Sequence, residues 1–261
     1  AKLETIRLSE SYIPITPEFA IAAPPRLQCS DHSLQQLEGA ASINNNNNEC
    51  VRVSGSLKGF NTLESFQKID KNELLRDFFC SKFFSDDDEN VIDSLIHSLL
   101  INFADLKSHK VVYWFAIPVL VPKQSIRCSN VMSAGMPDNA LQELAARLDA
   151  MRRRSLSQSK ASELPPFFLY SESMKECLPL SKMNFESLKS VDDLVYGFFD
   201  PSPSTQDLTF GWPLRNLIAY LSVHLDLGGK DARILSCRPE VVRRILENEE
   251  GVSSVNCSID R

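Results

Sequence analysis

The sequence predicts an α+β fold, a mixed β-sheet with an antiparallel hairpin, flanked by amphipathic helices. Three observations carry this. In LLINFADLKSHKVVYWFAIPVLV, two β-rich runs flank the polar Lys107-Ser108-His109-Lys110, which reads as a hairpin and argues against an all-parallel sheet. Apolar residues recur at helical spacing behind acidic starts, at Asp70 and again at 86–89. Strand and helix patterns also interleave along the chain without the regular alternation of a doubly wound sheet.

Residues 1–50 are weakly patterned, and the five asparagines at 44–48 read as a low-complexity loop. VRVSGSLKGF (51–60) alternates apolar and small residues, a strand pattern. Asp70 stands three residues before Glu73, a capping-box arrangement for a helix whose stripe is Leu74, Leu75, Phe78 and Phe79. The acids Asp86-Asp87-Asp88-Glu89 suit the positive end of a second helix, with Val91, Ile92, Leu95, Ile96 and Leu99 as its apolar stripe. They read as a solvated helix start.

The hairpin follows, and Pro118 places its second strand at a sheet edge or bulge. Period two divides that strand into Val111, Tyr113, Phe115 and Ile117 on one side, expected inside, and Trp114 on the other. Asp138 is a cap for a third helix along Leu141, Leu144, Ala145, Leu148 and Met151, which ends in Arg152-Arg153-Arg154. PPFFLYS (165–171), LVYGFFD (194–200) and ARILSC (232–237) are strand patterns. Before the last of them, Pro213 suits the first position of a helix buried through Leu214, Leu217, Ile218, Leu221 and Leu225, with Trp212 packing back on Leu217. Arg215 and Asn216 are expected off that face.

The 261 residues are 43% hydrophobic and 24% charged, enough for a packed core, and the net charge of −6 argues against a nucleic-acid partner. Seven cysteines at irregular intervals, with no C-x-x-C pair, suit reduced thiols in the cytoplasm. No apolar run reaches the roughly 20 residues that span a bilayer, so direct membrane insertion is not expected.

Three ordered segments carry a resemblance. Phe60-Asn61-Thr62-Leu63-Glu64-Ser65-Phe66 resembles an N-T-x-E-S-F signature; Phe103-Ala104-Asp105-Leu106-Lys107 with Tyr113-Trp114-Phe115 and Pro118 resembles F-A-D-L-K…Y-W-F-x-x-P; Phe199-Asp200-Pro201 before Gly211-Trp212-Pro213-Leu214-Arg215-Asn216 resembles Y-D-P…G-W-P-L-R-N. Together they resemble the N-terminal domain of the autophagy ubiquitin-like-modifier-activating enzymes over about residues 2–240. Phe210 departs from the pattern, standing where that family usually has proline.

The resemblance implies a mixed α+β recruiting domain over 51–240, after the segment 1–50 and before a divergent tail over 241–261. It implies recruitment of autophagy conjugating enzymes, so that the modifier passes to them from the activating-enzyme thioester. Modifier binding, ATP, magnesium and dimerisation belong by the same resemblance to an adenylation domain outside this chain. No cofactor, catalytic residue or metal site is therefore expected here.

The residues themselves agree. Nucleotide adenylation needs a glycine-rich strand-to-helix turn, and the nine glycines include no G-x-G-x-x-G; Gly228-Gly229 follows a helix. Cys237, beside Arg238, is the foremost thiol for a nucleophile, and a hydrolase built on Cys237 and His224 is the enzymatic alternative, without oxyanion, metal or base signatures. His32, His97, His109 and His224 show no metal-ligand spacing. A structural remnant or general interaction domain is the further alternative. For partner binding the candidates are Trp114, Arg215 and Asn216, residue types suited to recognition. Ser155, after three arginines that also suit a helix C-terminus, is a candidate phosphorylation site.

Overall fold

The computed structural model describes residues 12–15, 18–20, 50–52, 54–121, 127–128, 142–148, 150–151, 165–200, 210–237, 256–257 and 259–260. In chain order these form β1 (Ile13–Ile15), β2 (Glu18–Ala20), β3 (Cys50–Arg52), β4 (Gly55–Phe60), α1 (Leu63–Lys68), α2 (Lys71–Phe83), α3 (Asp88–Ser94), β5 (Ser98–Asp105) and β6 (Lys110–Ala116). There follow β7 (Arg127–Cys128), the helix α4 (142–148 and 150–151), β8 (Phe167–Ser171), β9 (Glu176–Pro179), α5 (Lys182–Leu188) and β10 (Val195–Phe199). Last come α6 (Pro213–His224), β11 (Arg233–Cys237), β12 (Asn256–Cys257) and β13 (Ile259–Asp260).

The fold is α+β, as the interleaved patterns predict. One sheet has the order β1-β4-β5-β6, a second β12-β11-β10-β8-β9, and β2·β3 and β7·β13 are two-stranded ribbons. Each larger sheet contains one parallel pair, β4·β5 and β10·β11, joined by helical crossovers; their other pairs are antiparallel.

Helix α2 lies between the sheets because its consecutive phenylalanines point different ways. Phe78 packs with Phe66, Leu99 and Ile101 against the first sheet. Phe79 and Phe83 join Phe167, Leu169, Tyr196, Phe198 and the α6 residues Leu217 and Tyr220 against the second. On that sheet's far face, Leu144, Leu148 and Met151 of α4 cover Phe168, Tyr170, Val195, Phe199, Leu235 and Cys237. With both faces covered, every residue of β8 and β10 is buried, and apart from Ser171 at the end of β8 both strands read as continuous apolar runs. Gly197 is required there, since a Cβ at that position would lie 2.1 Å from the ring of Phe168, its cross-strand neighbour.

Local signals explain most boundaries. Asp70 accepts from the N–H groups of Asn72 and Glu73 at the start of α2, and Asp87 accepts from Glu89 at the start of α3. Ser181 accepts from Asn184 at the start of α5, a cap without the acidic third residue that would mark it in sequence. Each such cap stabilises its helix by about 1 kcal/mol.

Two expectations change. Helix α3 stops at Ser94, whose hydroxyl donates to the Val91 carbonyl, while Leu95 and Ile96 close a tighter turn on Ile92 and Asp93. Leu99 is therefore a residue of β5, not of the helical stripe. The strand pattern over 51–60 divides into β3, paired with β2, and β4, paired with β1 and β5. Asp138, the Asn-rich loop and the tail over 241–255 lie outside the described residues.

Candidate functional site

Many residues of the family-like motifs hold the fold. Thr62 caps α1 by accepting from the Ser65 N–H, and Phe66 from the same motif is buried against Phe60. Asp105 closes the hairpin turn, accepting from the N–H groups of Lys107 and Ser108 and from the Ser108 hydroxyl. The Ser108 hydroxyl and those amides hold the Asp105 carboxyl below the usual carboxylate range.

Asp200, fully buried after β10, accepts from the Gly211 N–H at 3.0 Å and from the Ser236 hydroxyl at 3.1 Å. Its own N–H donates to the Cys237 carbonyl. One carboxylate thus fastens the ends of β10 and β11 to the entry of α6. Pro213 then occupies the first turn, and Trp212 packs into the same apolar cluster as Leu217.

Asn216 is not on the surface. It is fully buried, its Oδ1 accepting from the Leu120 N–H at 2.8 Å and its Nδ2 donating to the carbonyls of Leu95 and Pro118. The expectation that it lies off the buried face fails because the chain leaving β6 wraps that side of α6, needing a polar partner for its backbone. Arg215, one residue earlier, is exposed.

The faces of β6 are the reverse of those expected. Trp114 lies opposite Ile101 and packs with the cluster of Phe66, Phe78, Leu99 and Ile101, whereas Val111 is 60% exposed and Tyr113 is 69% exposed. Both alternations of β6 are apolar, so its own sequence does not choose between them. Its partner does: in β5, Leu99, Ile101 and Phe103 alternate with Leu100, Asn102 and Ala104, and the first set is the more apolar. Pairing through the turn sets Trp114 against Ile101 and Tyr113 against Asn102. Val112, on the inner side, is nevertheless 42% exposed, and Leu106 in the turn is 65% exposed. The outgoing strand of the hairpin therefore presents a contiguous apolar surface.

The other predicted chemistry is dispersed. Cys237 is buried and its thiol is pushed up to about 12 by burial; burial likewise takes Cys177 up to about 12. Cys237 and His224 lie on opposite faces of the second sheet, in the cluster under α4 and beside Phe83 and Tyr220 respectively. No hydrolase dyad exists between them. Asp88 is a clamp as well as part of an acidic helix start, accepting from the Tyr220 hydroxyl and from the Lys182 N–H.

His97 is buried with Nε2 at 3.0 Å from Ser56 Oγ and Nδ1 at 3.4 Å from Lys82 Nζ. Burial, with help from Lys82 and against Asp93, holds its pKa at about 4. Lys82 can only donate, so Nδ1 accepts and Nε2 carries the proton toward Ser56, the reverse of what a general base needs.

Gly228-Gly229 follows α6, and a Cβ on Gly228 would meet the Ser222 side chain at 3.1 Å, so the first glycine fits against its own helix. Among the described residues no group of three His, Cys, Asp or Glu is placed to hold a metal ion, and no helix is long and apolar enough to cross a membrane. Ser155 lies outside the described residues.

Comparison with known proteins gives a consistent result. Residues 1–260 match the family described as "Ubiquitin-like modifier-activating enzyme ATG7 N-terminus". The chain is 27% identical over 252 residues to the ubiquitin-like modifier-activating enzyme atg7 of Dictyostelium discoideum, covering 85% of this chain and 32% of that protein. It is 29% identical over 182 residues to the ATG7 of Komagataella pastoris, covering 66% of this chain and 25% of that one. The chain thus spans about a third or less of these relatives. Its fold is similar to the Atg7NTD crystal structure from Kluyveromyces marxianus, with a TM-score of 0.56, 15% identity, and coverage of 99% of this chain and 81% of that one. The same fold similarity extends to the Atg7NTD–Atg10 complex of that organism, again with a TM-score of 0.56 and 15% identity, covering 99% of this chain and 80% of that one.

Proposed function

The chain belongs to the family of N-terminal regions of the ubiquitin-like modifier-activating enzyme ATG7, and we propose that it recruits autophagy conjugating enzymes to the activating enzyme's thioester. The observation that carries this reading is the apolar surface of β6, where Tyr113 is 69% exposed beside Val111 at 60%. Aromatic side chains standing free of the core are the usual anchors of protein interfaces. The Kluyveromyces marxianus domain of similar fold was solved with Atg10 bound, which supports a conjugating enzyme as the partner.

The chain contributes position rather than chemistry. Adenylation of the modifier's C-terminus and its capture on a cysteine fall to the remainder of a whole activating enzyme, together with ATP, magnesium, the modifier itself and dimerisation. Residues 51–240 carry the recruitment, and its setting is the cytoplasm. By holding the acceptor enzyme beside the thioester, the domain raises the local concentration of the acceptor cysteine.

A competition experiment tests this reading. The isolated chain, in excess, is added to a complete activating enzyme, its modifier, ATP and a conjugating enzyme from the same organism. Transfer of the modifier to the conjugating enzyme falls, while the activating-enzyme thioester still forms. Undiminished transfer at saturating chain would sink the reading.

A further inference from the structure

The outer side of β6 carries a more specific message than apolar exposure. Among the described residues β6 pairs with β5 alone, at the end of its sheet. Proteins normally guard such edges with proline, charge or shortness, because unpaired N–H and C=O groups template a further strand. The other described edges of the two larger sheets are guarded: β1 has Pro14 at its centre, β9 begins at Glu176 and ends at Pro179, and β12 is two residues long. In β6 the sole charge is Lys110, at its first residue, and the next proline is Pro118, beyond its end.

The exposure of β6 also falls on both of its faces. Val111 and Tyr113 are open on the outer side, and Val112 is open on the inner side, where Ile101 one strand further in is completely buried. A helix laid across one face would leave the other uncovered. A strand beside β6 covers both, because its residues alternate between the faces.

We propose that β6 is the acceptor strand for an extended segment of the conjugating enzyme, which adds to the first sheet as a fifth strand. This rests on the recruitment reading above and names its docking mode. The segment has alternating apolar residues, one set beside Val111 and Tyr113 and the other beside Val112. Where it passes the hairpin turn, an acidic residue meets Lys107 and Lys110, both exposed. The exposed start of β6, residues 110–113, sets where the pairing begins.

Hydrogen exchange of the chain, free and bound to each autophagy conjugating enzyme of the same organism, tests this. Binding is followed in parallel by calorimetry. Amides of 111–114 that exchange fast in the free chain are expected to slow at least about tenfold in the complex, beyond any change in the buried strand β10. The Val111→Lys/Tyr113→Lys double variant, both sites being exposed, is expected to melt like the parent and bind at least about tenfold more weakly. Binding without slowed exchange in 111–114 overturns strand addition and leaves recruitment standing. So does weakened binding by the lysine variant with those amides still unprotected, since a face contact then replaces a paired edge. No binding to either enzyme overturns both.

Discussion

The side-chain oxygen of Asn216 accepts a hydrogen bond from the backbone N–H of Leu120 at 2.8 Å, across 96 residues of sequence. Its amide nitrogen donates to Pro118 and to Leu95 at the end of α3, so one carboxamide joins α6, α3 and the chain leaving β6. The apolar edge of the first sheet is held in place from the far end of the same polypeptide. Asn216→Ala leaves one N–H and two carbonyls unpaired in the interior, at a cost of about 3 kcal/mol. Urea unfolding measures it. Well below the melting temperature, affinity for a conjugating enzyme changes by less than about twofold, because the residue supports the surface without belonging to it.

Asp200 is expected to behave similarly at the entry to α6. Asp200→Ala removes the acceptor of the Gly211 N–H and the Ser236 hydroxyl, lowering stability by about 2 kcal/mol. Thermal melts of Asp200→Ala and Ser236→Ala separate the two bonds. The alanine at 236 costs less, since the Asp200–Gly211 contact survives it.

Gly197→Ala reverses the usual sign of a glycine replacement in a strand. Alanine ordinarily gains about 0.5–1 kcal/mol there, but the new methyl would meet the Phe168 ring, itself packed in the interior. A loss of about 3 kcal/mol is expected from overpacking. Combined with Phe168→Leu, the two changes cost less than their sum, which a double-mutant cycle of unfolding energies reports.

His97 makes stability depend on pH. Its folded pKa of about 4 lies below the ordinary 6.5, so the unfolded chain binds the proton more readily. The neutral ring's contribution is present above pH 6.5 and is lost as pH falls through about 4. Between pH 7 and pH 5 this one group removes about 2 kcal/mol. Urea titrations at the two pH values should show that loss in the parent and not in His97→Gln, which keeps a polar group facing Ser56. An equal loss in both would assign the pH dependence elsewhere.

Much of this architecture is legible in the sequence, and the parts that are not have definite causes. Asp70, Pro213 and the turn at 107–110 announce their elements because capping and turn chemistry are local. Helix α5 escapes notice because Ser181 caps it without an acidic third residue. The faces of β6 are not legible from the strand alone because it is apolar on both alternations, although Asn102, opposite Tyr113, marks the outer side through the hairpin register. The burial of Asn216 is not legible because its partners, Leu95, Pro118 and Leu120, lie about a hundred residues away, where helical periodicity carries no information. The motifs that identify the family turn out to be caps and clamps. Their specificity speaks largely for the fold, although Tyr113, the proposed recruiting anchor, is itself a motif residue.

Titration calorimetry of the chain against each autophagy conjugating enzyme of its organism, with Tyr113→Ser, Trp114→Ala and Arg215→Ala beside the parent, is the measurement to make. The parent should bind at micromolar affinity or better. Tyr113→Ser should lose at least about tenfold, or 1.4 kcal/mol, with an unchanged melting temperature. Trp114→Ala should instead lower the melting temperature, since that ring packs with Phe66, Phe78 and Ile101. Arg215→Ala reports whether the exposed start of α6 extends the interface. A chain that melts cooperatively and binds neither enzyme would contradict recruitment by this domain.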